Sequence, residues 1–156
     1  MKTGPGCREK NMRENYKLAE GARISIVDDD ESMREAIKAL IGSMGLSVED
    51  FSSAEAFLNS GRAQAFDCLI LDVRMPGLGG LELQRRLAAD NQRIPIVFMT
   101  AHYGDEERTR AMEAGAVDFL SKPFTEQELF HAIGASLAIH KKKADGSDEN
   151  SDSDSV

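Results

Sequence analysis

The sequence predicts an α/β protein with a parallel sheet covered on both faces by helices. Three observations carry this. Short apolar runs alternate with amphipathic stretches five times between residues 23 and 140. Three of those runs, RISIV, CLIL and IPIVFM, are apolar almost throughout, as strands buried on both faces are. Strict strand–helix alternation also requires crossover connections, which join parallel strands.

RISIV (23–27) is the first strand. Residues 31–44 form a helix, because Met33, Ala36, Ile37, Leu40, Ile41 and Met44 recur at spacings of three and four and so share one face. Gly45 closes it as a residue that takes the left-handed backbone without strain. LSVEDF (46–51) alternates and suits an edge strand. Ser52 and Glu55 have capping-box spacing and open a helix that runs toward Gly61. CLIL (68–71) is the third strand, and a helix follows over about 80–89. IPIVFM (94–99) is the fourth strand, 105–114 a helix stopped by Gly115, and AVDFL (116–120) the fifth strand. Thr125 and Glu128 repeat the capping-box spacing ahead of a helix carrying Leu129, Ile133 and Leu137. Five such units fit a flavodoxin-like (βα)5 doubly wound sheet with strand order 2-1-3-4-5.

The flanks differ in character. Residues 1–22 are polar, include Gly4-Pro5-Gly6 and show no periodicity, which predicts a flexible leader; Met12 is an alternative start. Residues 141–156, KKKADGSDENSDSDSV, hold too little apolar surface to offset their ordering entropy, which predicts a disordered acidic tail. The folded domain is expected over 23–140. A formal net charge of −8 argues against a nucleic-acid surface, since phosphate binding wants a basic face. No apolar run nears the ~18 residues of a membrane span, and no secretory signal pattern opens the chain. Cys7 lies in the polar leader and Cys68 in an apolar run, so no disulfide is expected and a cytoplasmic location fits.

Ligands of such sheets bind beyond the carboxyl ends of the strands. The first strand ends in Asp28, Asp29 and Asp30, the third in Asp72, the fourth in Thr100, and the fifth in Ser121, Lys122 and Pro123. One polar residue at a strand end is an ordinary loop residue. Four strand ends bringing carboxylates, a hydroxyl and an ammonium to one edge define a site. Clustered carboxylates repel and call for a cation. With no histidine or thiolate among them, the donor set favours a hard ion, Mg²⁺ over Zn²⁺. Lys122 adds positive charge for an anion held by that metal, which suits a phosphoryl group. A carboxylate nucleophile needs no base, and Asp72, on the middle strand, is the natural acceptor.

These segments resemble the receiver domain of bacterial two-component response regulators over about residues 22–138. ISIVDDDESMREAIKALI is similar to the family's first strand, acidic pair and first helix. LILDVRMPGLGGLEL resembles its phosphoacceptor segment, VFMTAH its switch-threonine segment, and AMEAGAVDFLSKPF its Ala-Gly-Ala, aromatic and Lys-Pro-Phe block. All four occur in order and correctly spaced, and the likeness is to FixJ-like receivers in particular. The resemblance implies that Asp72 is phosphorylated, that Asp29 ligates Mg²⁺ directly and Asp28 mainly through water, and that the backbone carbonyl of Arg74 is a further ligand. It implies that Thr100 and Lys122 bind the phosphoryl oxygens, that Lys122–Pro123 is a cis peptide, and that Phe119 is the rotating aromatic switch. Phe119 has no hydroxyl, so its signal rests on packing. Arg74 and His102 occupy positions associated with the rate of dephosphorylation; ordinary surface solvation is the alternative for both. His131 and His140 read as surface residues of the last helix, and Met75 as part of the turn. Nothing in the sequence accounts for Gly79.

The implied function is phosphorelay signalling rather than enzymic turnover of a substrate. A sensor histidine kinase or phosphotransfer protein phosphorylates Asp72, and a protein target reads the face made by the fourth helix, fifth strand and fifth helix. Nothing after Ile139 suits an output domain, so the chain is expected to stand alone. A phosphate shuttle or sink, the receiver fragment of a DNA-binding regulator, and a phosphorylation-dependent homodimer remain open. Two other classes fit less well. A flavin mononucleotide carrier needs a phosphate loop where DDDES stands, and an aspartyl-phosphate phosphatase typically has a second Asp where Arg74 stands.

Overall fold

The strands form in the predicted order because each apolar run has a neighbour of matching character. β1 (Arg23–Val27), β2 (Ser47–Phe51), β3 (Cys68–Asp72), β4 (Ile96–Thr100) and β5 (Asp118–Ser121) make one sheet ordered β2-β1-β3-β4-β5. All pairings are parallel. The helices are α1 (Glu31–Ser43), α2 (Ala54–Ser60), α3 (Gly80–Ala89), α4 (Asp105–Glu113) and α5 (126–139). A 3₁₀ turn, Ala63–Ala65, precedes β3. The structure, a computed structural model, describes Leu18, residues 21–101 and residues 105–139. Most of the expected leader and all of the expected tail, together with Cys7, His102 and His140, lie outside the described residues. Leu18 and Ala22, within the expected leader, are instead buried in the core beside β1, because each is apolar and finds cover there.

Strand side chains alternate between faces, and the sheet accordingly separates two apolar cores. Ile24, Ile26, Ile70, Val97, Met99 and Leu120 pack with Ile37 and Ile41 of α1 and Leu129 and Ile133 of α5. Val27, Leu69, Leu71, Phe98 and Phe119 pack with Phe57 of α2, Leu83 and Leu87 of α3, and Ala111 of α4. β3 and β4 are buried at every position, as their unbroken apolar sequence predicts. Cys68 is fully buried, and burial pushes its thiol up to about 12, which keeps it protonated and inert.

Several boundaries differ from the sequence reading. β4 starts at Ile96, two residues later than expected, because Pro95 has no N–H for the ladder; its carbonyl still accepts from Leu69. β5 is shifted to Asp118–Ser121, although the Val117 N–H already pairs with the Ile96 carbonyl. Ser53, not Ser52, caps α2, its hydroxyl accepting from Ala56 N–H at 3.0 Å. Glu55 therefore takes no part in a capping box; its carboxylate accepts the Leu78 N–H at 3.0 Å instead. The Thr125–Glu128 box forms reciprocally, at 3.0 and 2.9 Å. Ala36 is exposed, so the buried stripe of α1 is narrower than predicted. Gly45 has φ +81°, as a residue just past a helix end requires.

Two glycines shape the loop after β3. A Cβ on Gly79 would sit 3.3 Å from the Val73 carbonyl oxygen, which gives that residue a physical account. A Cβ on Gly80 would fall 2.3 Å from the Asp72 carbonyl oxygen, inside any tolerable contact with rigid backbone. The start of α3 thus lies against the end of β3 only because residue 80 lacks a side chain. Gly80→Ala should destabilise the domain by about 1–3 kcal/mol, the range for overpacking a tight site. Gly42→Ala, inside α1 with no atom within 4 Å of the added Cβ, should stabilise it by about 0.4–1 kcal/mol. Urea denaturation midpoints of the two variants check both signs.

Candidate functional site

The register of the sheet assembles the site. Val27 pairs with Leu71 across β1 and β3, so the next residues, Asp28 and Asp72, emerge side by side at the carboxyl edge. Asp72 pairs with Met99, and Thr100 pairs with Ser121, which brings the end of β4 and the Lys122 loop alongside. The Lys122 N–H donates to the Thr100 carbonyl at 2.7 Å and fixes where that loop leaves the sheet.

Carboxylate oxygens of Asp28, Asp29 and Asp72 all lie within 4.8 Å of one another. Asp28 is fully buried, Asp72 nearly so, and Asp29 exposed. Lys122 Nζ sits 3.1 Å from Asp28 Oδ2 and 3.7 Å from Asp72 Oδ1. Asp28 Oδ1 accepts the Asp30 N–H at 2.9 Å, so each Asp28 oxygen has one partner and acceptor capacity to spare. Asp30 does not join the cluster. Its carboxylate caps α1, accepting the N–H groups of Ser32 and Met33 at 3.0 and 3.3 Å. Thr100 is buried at the end of β4. Phe119 is buried, its ring 6.1 Å from that of Phe98. The Lys122–Pro123 peptide is cis. His102 is outside the described residues, His131 is exposed on α5, and Met75 is half-buried against the core.

Burial is the main force on Asp72, and the neighbouring Asp28 carboxylate adds to it. Together they push its carboxyl up to about 7, against the opposing pull of Lys122 and the Arg74 N–H. One lysine does not neutralise three carboxylates. An all-oxygen donor set with surplus negative charge suits a hard divalent cation, and the residues present fit one.

Three side chains that support the site were not read as such from the sequence. Arg34 of α1 donates to the Asp28 carbonyl and to Asp50, each at 2.8 Å. Burial alone would raise the Asp50 carboxyl, but hydrogen bonds from Arg34 and Lys38 more than offset it and hold it below its ordinary value. Glu55 clamps the loop at Leu78. Glu107 of α4 pairs with Arg74 at 2.9 Å, so the exposed Arg74 side chain is drawn toward α4. Unlike charges were the available signal for the pairs Arg34–Asp50 and Arg74–Glu107; Glu55 bonds backbone, which no charge pattern announces.

A parallel 2-1-3-4-5 sheet that carries a carboxylate cluster and a lysine at its carboxyl edge has the build of a receiver domain, and residues 24–134 match the response regulator receiver domain. The chain belongs to that family. It is 50% identical over 116 residues to the response regulator protein TodT of Pseudomonas putida, covering 74% of this chain and 51% of TodT. It is 41% identical over 114 residues to the transcriptional regulatory protein FixJ of Bradyrhizobium diazoefficiens, covering 73% of this chain and 56% of FixJ. The crystal structure of FixJ-N superposes with a TM-score of 0.70 at 34% identity, over 77% of this chain and 96% of that one. The chain spans about half the length of the curated relatives it matches.

The raised carboxyl has a sign that a titration checks. A folded-state pKa above the ordinary 3.8 contributes stability that is full below that value and lost as pH rises through about 7. In metal-free buffer, Asp72→Asn should therefore raise the thermal midpoint relative to the wild type at about pH 8, and the gain should shrink toward about pH 5. A gain independent of pH would contradict the raised Asp72 carboxyl.

Proposed function

We propose that this receiver domain is a phosphorylation switch with Asp72 as the acceptor. The observation that carries the reading is the meeting of Asp28, Asp29 and Asp72 with Lys122, which stands within 3.7 Å of both buried carboxylates. An Asp72 carboxylate oxygen attacks phosphorus in the phosphohistidine of a sensor histidine kinase or phosphotransfer protein. The new O–P bond forms as the N–P bond breaks, and the leaving imidazole takes a proton from solvent. Asp28, Asp29, Asp72 and the Arg74 carbonyl would hold Mg²⁺, which supplies positive charge against the phosphoryl oxygens. Lys122 pairs with a phosphoryl oxygen, and the Thr100 hydroxyl turns toward another.

That inward turn of Thr100 frees room for Phe119, and the α4–β5–α5 face changes shape. A groove of about 630 Å³ already runs along β5 and α5, lined by Asp118, Ser121, Gln127, Glu128 and His131 among others. A protein target, or a second phosphorylated copy, reads this face. No helix among the described residues is long and apolar enough to cross a membrane, and a cytoplasmic setting suits a kinase partner. The negative net charge supports protein rather than nucleic-acid contacts by the domain itself. A second reading is the receiver portion of a DNA-binding regulator. It is favoured by the span of about half of TodT and of FixJ, the latter a transcriptional regulatory protein.

Incubation with acetyl phosphate and Mg²⁺ should give the wild type an acyl-phosphate mass shift, lost in Asp72→Asn and after chelation of the metal. A stable shift in Asp72→Asn would overturn the assignment. Arg74 sets the lifetime of that acyl phosphate by covering the path of attacking water. A half-exposed ion pair holds it only weakly, by about 0.2–1 kcal/mol. Glu107→Gln should release it and lengthen the lifetime, while Arg74→Ala should shorten it, as followed by loss of the mass shift with time.

A further inference from the structure

Arg34 lies outside the acidic cluster, yet it holds the chain from which the cluster emerges. Its Nη1 donates to the Asp28 backbone carbonyl at 2.8 Å, and its Nε donates to Asp50 Oδ2 at 2.8 Å. Lys38 Nζ donates to the other Asp50 oxygen at 3.2 Å. The Arg34 side chain is only 14% exposed, so these bonds are sheltered from competing water. The Asp28 N–H is itself held by the Phe51 carbonyl of β2 at 3.2 Å. Both polar groups of the Asp28 backbone are thus anchored, one by the sheet and the other by a guanidinium.

A peptide unit is planar. Anchoring the Asp28 carbonyl fixes the plane that ends at the Asp29 Cα, and the Asp30 N–H, held by Asp28 Oδ1 at 2.9 Å, anchors the plane that begins there; together the two set the direction in which the Asp29 side chain departs. The Asp28 carboxylate has its own anchors in the Asp30 N–H and Lys122. Asp29 is exposed, so its backbone decides where its carboxylate stands. Only the planar fork of arginine serves both acceptors from one rigid group. We infer that Arg34 is a positioning residue for the cation site: by locking the Asp28–Asp29 peptide it presents the Asp29 carboxylate to Asp28 and Asp72. This rests on the reading of that cluster as a divalent-cation site.

Charge and geometry make opposite predictions here, which allows a clean test. Removing a positive charge near a cation site should, by charge alone, tighten cation binding. If Arg34 positions a ligand, its removal loosens binding instead. Lys38→Met is the matched control, since it removes a positive charge and an Asp50 contact but leaves the Asp28 carbonyl bonded.

The experiment is an Mn²⁺ titration of the full chain, followed by the electron paramagnetic resonance of the free ion, beside thermal unfolding of each metal-free variant. Arg34→Met should weaken Mn²⁺ about tenfold, the lower end of the loss seen when a residue orienting a metal ligand is removed. Lys38→Met should leave the affinity unchanged or tighter. Arg34→Lys retains one cationic donor and should fall between wild type and Arg34→Met, which keeps the test decisive if the methionine variant does not fold. Wild-type affinity in folded Arg34→Met or Arg34→Lys, whatever the loss of stability, would overturn the positioning role and leave the cation-site reading intact. Failure of the wild type to bind Mn²⁺, or binding unaltered by Asp29→Asn, would overturn that reading and the inference with it.

Discussion

The domain is organised around the repulsion between two carboxylates, Asp28 and Asp72, that the sheet forces into proximity. Parallel pairing of β1 with β3 leaves them adjacent once Val27 and Leu71 are matched. Each is buried. Lys122 offsets part of the cost from the next strand but one, at 3.1 and 3.7 Å. The balance is incomplete, as the elevated Asp72 carboxyl records. Structures hold such a frustrated group when the surroundings over-determine it, and the unmet charge is then available to bind a ligand of opposite sign.

The surroundings here are over-determined from both sides. The two apolar cores clamp the sheet, so β1 and β3 do not slide to separate the carboxylates. On one flank Arg34 ties the Asp28 carbonyl to Asp50 and hence α1 to the rim of β2. On the other, Gly80 lets α3 abut the Asp72 backbone, and Glu55 of α2 holds the Leu78 N–H. Four different elements thus fix the two strand ends. Packing supplies the rigidity, and a small number of hydrogen bonds set the direction of each polar group.

Much of this was legible in the sequence, and the reasons for success and failure are physical. The apolar runs determine the sheet because a strand buried on both faces has no polar position to blur its pattern. Thr125 and Glu128 announced a cap through the spacing of a reciprocal capping box. Asp28, Asp72 and Lys122 were readable because a charge directly after a buried strand has few places to go. Ser52 was mistaken for Ser53 because two adjacent hydroxyls offer the same chemistry, and only the backbone turn chooses between them. Asp30 follows Asp28 and Asp29 at the same strand end, but its carboxylate caps α1. Glu55 and Arg34 bond to main-chain groups brought near by the fold, and main-chain groups carry no sequence signal. Gly79 became intelligible only beside the Val73 carbonyl.

The loop from Asp72 to Gly80 also divides its positions by mutational freedom. Gly77 has φ +76°, and a side chain there would meet the Glu55 carboxylate; at Gly80 an added Cβ would meet backbone. Substitution is costly at both, at Gly77 through its left-handed backbone and at Gly80 through contact with rigid backbone. Arg74, in the same loop, has a half-exposed side chain that pairs with Glu107 of α4. Substitution there is structurally cheap although it lies two residues from Asp72. The chemistry beside the acceptor can therefore vary at Arg74 with little effect on the scaffold, while the glycines of the same loop keep its backbone path.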